Sequence, residues 1–353
     1  MTVNGIHIQN VYYMLAYAFK ALREGVYADF TGEDFDEAED LFGEILSLGI
    51  SAMLKRGLYR MYVEIREDTP RPRGRIDLVQ TLRHQSAHRN VVACLYDEFT
   101  VNNPFNQIIK STALALLRTG RLAKSGAGLK RALAFMGDVD EIDIRAFPWG
   151  QLRYERNNQH YLMLINICKL VVDGLILQEG EAGRKTARTF SVDEERLAAL
   201  YENFIRAYYA RHYDLKSAAR QIAWDVPQGT DTSLLPTMLS DVMLSDEDRV
   251  FIIDAKFYGT IMQERMDKAS IRNAHLYQIL AYVNNQQAFQ PRKTISGMLL
   301  YAKTATDAPP AATWTIGGHD ISVKTLDLAQ PFPAIAEQLD QIVQTRFNIQ
   351  KRT

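Results

Sequence analysis

The stretch that most constrains this chain is Val250-Phe-Ile-Ile253, four apolar residues in a row. Such a run has no polar face and reads as a strand covered on both sides. The segments around it supply a sheet and the helices to cover it. VDEERLAALYENFIRAYYARHY (192–213) is an amphipathic helix with acidic residues in its first turn, favourable for the helix dipole. Strand patterns follow at 219–224, 236–244 and 249–258, the last two separated by the polar turn Ser245–Asp248. ASIRNAHLYQILAYVNN (269–285) is helical, 296–304, 312–318 and 320–328 are strands, and 332–347 closes as a helix. The core order is helix, three strands, helix, strand, with extra strands and a final helix, an α/β pattern.

The first half has a different, α+β grammar. Helices are predicted at 10–22 with Asn10 as N-cap, at 34–56 ending before Gly57, and at 104–119, 127–136 and 160–178. LYRMYVEI (58–65) alternates as a strand, EDTPRPRGR (67–75) is a turn-rich basic loop, and RIDLVQTL (75–82) reads as extended. The predicted division is 1–160, a connecting helix and linker over 161–190, and 191–353. The apolar segment 161–177 contains Lys169 and Asp173 and is short for a bilayer, so a buried helix is expected and no membrane span. MTVNGIHIQN lacks a basic region followed by an apolar stretch, so no signal peptide is expected. Cys94 and Cys168 fit no metal-ligand spacing and suit two buried thiols in a reducing cytoplasm. Forty-one basic against 42 acidic residues exclude a general positive field, so nucleic acid would need a local basic patch.

The apolar run leads into Asp254-Ala-Lys256. An Asp-x-Lys tripeptide is expected about once by chance in a chain this long, and Asp214-Leu-Lys216 repeats it at the polar end of a helix. The bland reading of such a match is a solvated ion pair. In a strand, however, Asp254 and Lys256 share a face beside low-dielectric protein. With Ser245–Asp248 as a four-residue loop, Leu244 pairs with Arg249 and Asp241 with Ile252, making Asp254 the diagonal neighbour of Asp241. Two carboxylates there are hard ligands suited to Mg²⁺, with the Ala255 carbonyl as a further ligand. Lys256 and the cation would stabilise charge developing on a phosphodiester under attack by water. Gln278 and Tyr282 share a helix face, and Glu202 sits on a largely apolar helix; each also reads as a polar edge or an ordinary ion pair.

Asp241, Asp254-Ala-Lys256 and Gln278-x-x-x-Tyr282 in this element order resemble the PD-(D/E)xK nuclease superfamily, with the last motif similar to its RecB-like branch, which implies a restriction-endonuclease-like mixed sheet flanked by helices. Pro236 stands five residues before Asp241, where the superfamily name implies adjacency. Ile8-Gln-Asn-Val-Tyr-Tyr-Met-Leu-Ala-Tyr-Ala18, Lys55-Arg-Gly-Leu58, Gly74-Arg-Ile-Asp77 and Ile108-Ile-Lys-Ser-Thr112 together resemble the McrC family, across essentially the whole chain. That resemblance implies a Mg²⁺-dependent endodeoxyribonuclease subunit acting on DNA with modified cytosine. Its catalytic residues would be Asp241, Asp254, Lys256, Gln278, Tyr282 and Glu202. It implies an McrB-like AAA+ GTPase ring as partner, which holds the GTP and reads the modified base, and two nuclease domains acting together in double-strand cutting. GEAGRKT (180–186) lacks the glycine spacing of a phosphate loop, in keeping with GTP on the partner. Arg71, Arg73, Arg75 and Arg83 are the candidate contacts to the partner or DNA, or else belong to a solvated loop pairing with Glu64, Glu67 and Asp68. Two alternatives stand beside the nuclease subunit: a non-catalytic activator of the GTPase that keeps the fold, and a stand-alone RecB-like repair nuclease.

Overall fold

The computed structural model describes residues 2–3, 6–18, 37–86, 90–180, 194–257, 262–265, 268–303 and 311–352. Contacts divide the chain into two compact units: Met1–Ala38 with Asp173–Thr353, and Glu39–Val172. Strands β1 (Thr2–Val3) and β2 (Ile6–His7) form a short hairpin that leads into helix α1 (Ile8–Ala18). Asn10 was expected to cap that helix, but it lies inside it and is buried. Its side-chain amide donates to the carbonyls of Leu328 and Gln330, both at 2.8 Å. A long-range clasp has displaced the local cap.

The unit Glu39–Val172 begins within α2 (Ala38–Arg56) and carries a three-stranded antiparallel sheet. Its strands are β3 (Met61–Thr69), β4 (Arg75–Ile76) and β5 (Val92–Thr100), in the order β3-β5-β4. The expected strand over 75–82 stops at Ile76. Asp77 then takes the Gln80 N–H on its carboxylate at 3.1 Å and starts helix α3 (Leu78–Ser86). α4 (Pro104–Arg118) opens with Asn103 as its cap and Pro104 at the first position, and is followed by α5 (Gly126–Leu133) and α6 (Leu162–Gly180). Buried Asn106 and Tyr161 bond each other at 2.8 Å, and Asn106 also reaches the Tyr59 and Val101 carbonyls. Cys94 and Cys168 are both free and buried.

In the other unit, α7 (Glu194–His212) precedes β6 (Lys216–Ile222), β7 (Met238–Ser245) and β8 (Arg249–Phe257). After the two-stranded ribbon β9 (Met262–Arg265) and β10 (Lys268–Ile271) come α8 (Asn273–Phe289) and β11 (Thr294–Lys303). β12 (Ala312–Ile316), β13 (His319–Asp327) and α9 (Phe332–Phe347) complete the fold. The six-stranded sheet runs β12-β13-β11-β8-β7-β6. β8, β11 and β13 are parallel at its centre, with antiparallel neighbours at both edges, so the sheet is mixed. β8 is buried at every position except its first residue and Lys256, as its apolar run demands. One face packs on α8 through Ile252, Leu299, Ile279, Tyr282 and Val283. That approach is close: a Cβ at Gly297 would stand 2.7 Å from Ile279 Cγ1 and 2.9 Å from Val283 Cγ2. On the other face Phe251 meets Phe347 of α9 edge-on, and Phe257 meets Tyr201 of α7.

The β7–β8 hairpin is tighter than expected. Leu244 pairs with Phe251, not with Arg249, and Ser245 with Val250. The Asp246 carboxylate takes the N–H groups of Asp248 and Arg249 at 3.0 and 2.7 Å, closing the turn around two residues where four were expected. The register therefore moves by two residues. A shift of two keeps every side chain on its predicted face.

Candidate active site

The β7–β8 ladder ends at the Val242–Ile253 pair, and Asp241 and Asp254 are the next residue on each strand. The Asp241 carboxylate accepts the Ala255 N–H at 2.8 Å, which ties the two strands together at this end. Asp254 is 1% exposed. Its Oδ2 lies 2.7 Å from Lys256 Nζ, while Oδ1 is buried with no hydrogen-bond partner. Lys256 Nζ also donates to the Gln278 amide oxygen at 2.9 Å. The Gln278 amide nitrogen donates to the Tyr282 hydroxyl at 2.9 Å, and that hydroxyl donates to the Leu239 carbonyl at 3.2 Å. Asp241, Asp254, Lys256, Gln278 and Tyr282, distant in sequence, thus form one cluster.

The electrostatics follow from burial. Desolvation raises both acids above the usual carboxylate range. On Asp254 Lys256 opposes the rise and the Asp241 charge adds to it, while on Asp241 the Ala255 N–H and then Lys256 oppose it. Glu202 on α7 is raised to about 7, first by burial and then by the Asp241 charge, against the pull of Lys256 and Arg206. Arg206, one turn further on, donates to the Asp241 backbone carbonyl at 2.9 Å. Glu202 therefore belongs to the field of this cluster, approached from the α7 face.

Two features of the cluster suit a divalent cation. The donor set is hard carboxylate oxygen, and Asp254 presents a buried oxygen lacking any donor. Among the described residues no three His, Cys, Asp or Glu side chains converge as a ready-made ligand set. A cation here would rest on Asp241 and Asp254 and take water for the rest, as Mg²⁺ does readily. Ala255, the third expected ligand, is buried and gives its N–H to Asp241.

One pair escaped the sequence reading. His275, in the first turn of α8, is buried and its Nδ1 lies 2.8 Å from the Tyr301 hydroxyl. Burial and the charges of Lys256 and Arg272 lower the imidazole to about 4, so it is neutral. His275 stands three residues before Gln278, a spacing that puts them on one face.

The arginines expected to meet a partner lie in the other unit. Arg71, Arg73, Arg75 and Arg83 are exposed, and the Arg73 guanidinium sits 4.0 Å over the Tyr96 ring. Two of the acids expected to pair with them have other partners. Glu64 pairs with Arg66 at 3.4 Å and Glu67 accepts from Tyr96 at 2.8 Å. Exposed Tyr62, Ile76, Leu78, Val79, Leu82 and Phe99 lie on the same strands and helix. Residues 181–186 of the GEAGRKT segment lie outside the described residues.

A mixed, helix-covered sheet carrying one buried and one half-buried carboxylate beside a lysine defines a mixed α/β protein with a polar site on its central strands. The chain belongs to the McrBC 5-methylcytosine restriction system component family, which it matches over residues 5–302. It is 26% identical over 338 residues to the type IV methyl-directed restriction enzyme EcoKMcrBC of Escherichia coli (strain K12), covering 95% of this chain and 96% of that protein. Among solved structures, an assembly of Thermococcus gammatolerans McrB AAA+ hexamers with bound McrC aligns at 13% identity with a TM-score of 0.43, over 94% of this chain and 76% of that one. The McrBC complex of the same organism aligns at 19% identity with a TM-score of 0.39, over 58% of each chain. No helix among the described residues is long and apolar enough to cross a membrane.

Proposed function

We propose that this chain is the Mg²⁺-dependent endodeoxyribonuclease subunit of its restriction system, with a nuclease unit of the PD-(D/E)xK type. The observation that carries the reading is the convergence of Asp241, Asp254 and Lys256, with an Asp254 oxygen buried and lacking a donor. A buried carboxylate beside a half-buried one carries more negative charge than Lys256 alone offsets, which gives the site an affinity for a divalent cation. A cation held by Asp241 and Asp254 supplies Lewis acidity and a water of lowered pKa. Lys256, oriented by Asp254 and Gln278, places its ammonium to stabilise charge on the phosphodiester oxygens. Tyr282 fixes the Gln278 amide, and so the direction in which its oxygen faces Lys256. Glu202, with its pKa near neutrality, is suited to hold or release a proton at the same edge.

The partner in this reading is an McrB-like AAA+ GTPase ring that carries the GTP and recognises modified cytosine in DNA, with both proteins in the cytoplasm. The family and its relatives support it, since the T. gammatolerans assembly is described as McrB hexamers with bound McrC. The exposed apolar residues and arginines of β3, β4, β5 and α3 are our choice for the partner-facing surface. Incubation with the GTPase, GTP, Mg²⁺ and methylated plasmid tests the reading. The expected outcome is cleavage that Asp254→Ala and Lys256→Ala abolish while GTPase stimulation persists. Intact plasmid with stimulated GTPase would instead favour a non-catalytic activator, and cleavage without the GTPase a stand-alone nuclease.

A further inference from the structure

We propose that His275 and Tyr301 form a positioning pair that holds the start of α8 on the sheet, so that the Gln278 amide oxygen stays on Lys256. The pair's catalytic value rests on the nuclease reading above; its existence rests on geometry alone.

α8 begins at Asn273; Arg272 before it gives no side-chain cap, and its carbonyl takes the His275 and Leu276 N–H groups at 3.0 and 3.3 Å. His275 ties this first turn to the sheet, with its Nδ1 2.8 Å from the hydroxyl of Tyr301. Tyr301 is fully buried on β11, at the position that pairs with Lys256 of β8. Three residues on, Gln278 takes the Lys256 ammonium, and one turn later Tyr282 reaches the Leu239 carbonyl of β7. Positions 275, 278 and 282 lie on one helix face. They fasten α8 to β11, β8 and β7, three consecutive strands of the sheet.

The three bonds are not equivalent. Gln278 and Tyr282 are also bonded to each other, whereas the His275 bond is separate and lies nearest the uncapped end. It ties the first turn to β11, and Gln278 follows on the same helix face. A neutral imidazole performs this task without competing with Lys256 for the carboxylates. Packing alone would be served by any residue of similar volume. A positioning bond requires a polar atom where Nδ1 stands.

The test uses the full chain with His275→Leu, Tyr301→Phe, the double variant, and His275→Asn, whose amide places a polar atom close to the Nδ1 position. Hydrogen exchange over 275–280 reports the helix start independently of any cleavage. Cleavage of methylated plasmid with the GTPase, GTP and Mg²⁺ reports kcat and KM. We expect each single removal to speed exchange and lower kcat by roughly tenfold, the scale of one buried hydrogen bond, with KM for DNA unchanged. The double variant should be no worse than either single, and His275→Asn should recover most of both readouts. Additive losses, unchanged exchange, or no recovery with Asn would overturn the pair. Equal cleavage by wild type and Asp254→Ala would instead overturn the nuclease reading, while the exchange data still decide whether the pair holds the helix.

Discussion

The chain contains Asp-x-Lys twice, and the two copies share little else. Asp214 is 97% exposed at the end of α7 and pairs with Arg352 at 2.7 Å, and Lys216 starts the edge strand β6. Asp254 is 1% exposed on the central strand β8, and its lysine is held by a glutamine from the opposing helix. At the first copy water screens the charges, so the pair stabilises little. At the second, desolvation raises the carboxylate and every neighbour changes its energy. What separates a site from a coincidence here is the strand that carries the motif and the groups brought to it.

Substitution at both copies gives the largest expected contrast. Asp254→Ala or Lys256→Ala should lower DNA cleavage by about 10³-fold, as removal of transition-state stabilisation does. Asp214→Ala and Lys216→Ala should leave it unchanged. Any comparable loss at Asp214 would break the comparison. Gln278→Ala comes next, with an expected loss of roughly tenfold to a hundredfold in kcat, the range for a hydrogen bond to a charged group. Tyr282→Phe should cost about tenfold, since Gln278 keeps its bond to Lys256.

A smaller effect sharpens the electrostatic half of the contrast. Asp241, Asp254 and Glu202 all have folded pKa values raised above their ordinary ones. The folded chain then binds these protons more tightly than the unfolded chain, so stability is present at low pH and lost as pH rises through the folded values. For Glu202 that window runs from 4.5 to about 7. In metal-free protein the melting temperature should fall across it, and Mg²⁺ should restore the loss. Asp254→Asn should flatten both effects, and Asp214→Asn neither. Thermal melts with and without Mg²⁺ at pH 5 and pH 7 decide this. The smallest effect expected is on the scaffold: Gly297→Ala forces a methyl against Ile279 and Val283 and should destabilise by about 1–3 kcal/mol in urea melts.

The sequence made the central strand legible because four apolar residues in a row admit few other readings. α7, α8 and α9 were equally legible from their apolar periodicity, and Gln278 and Tyr282 from helical spacing. The hairpin register was not. The Asp246 carboxylate tightens the turn by two residues, and a side chain bonding its own turn leaves no trace in strand periodicity. The site tolerated that error because a two-residue shift preserves the faces. Helix α3 was read as extended because its short apolar pattern is ambiguous and Asp77 caps it from inside the segment taken for a strand. β5 was missed, since VACLYDEFT alternates poorly beside a basic loop. Asn10 and the His275–Tyr301 pair depend on contacts from distant strands, which no local pattern reports.

The most direct test of the central claim is a time course of methylated plasmid cleavage with the GTPase, GTP and Mg²⁺, comparing wild type, Asp254→Ala and Asp214→Ala at equal GTPase stimulation. The account predicts cutting by wild type and Asp214→Ala and none by Asp254→Ala. Cutting by Asp254→Ala at the wild-type rate would contradict it.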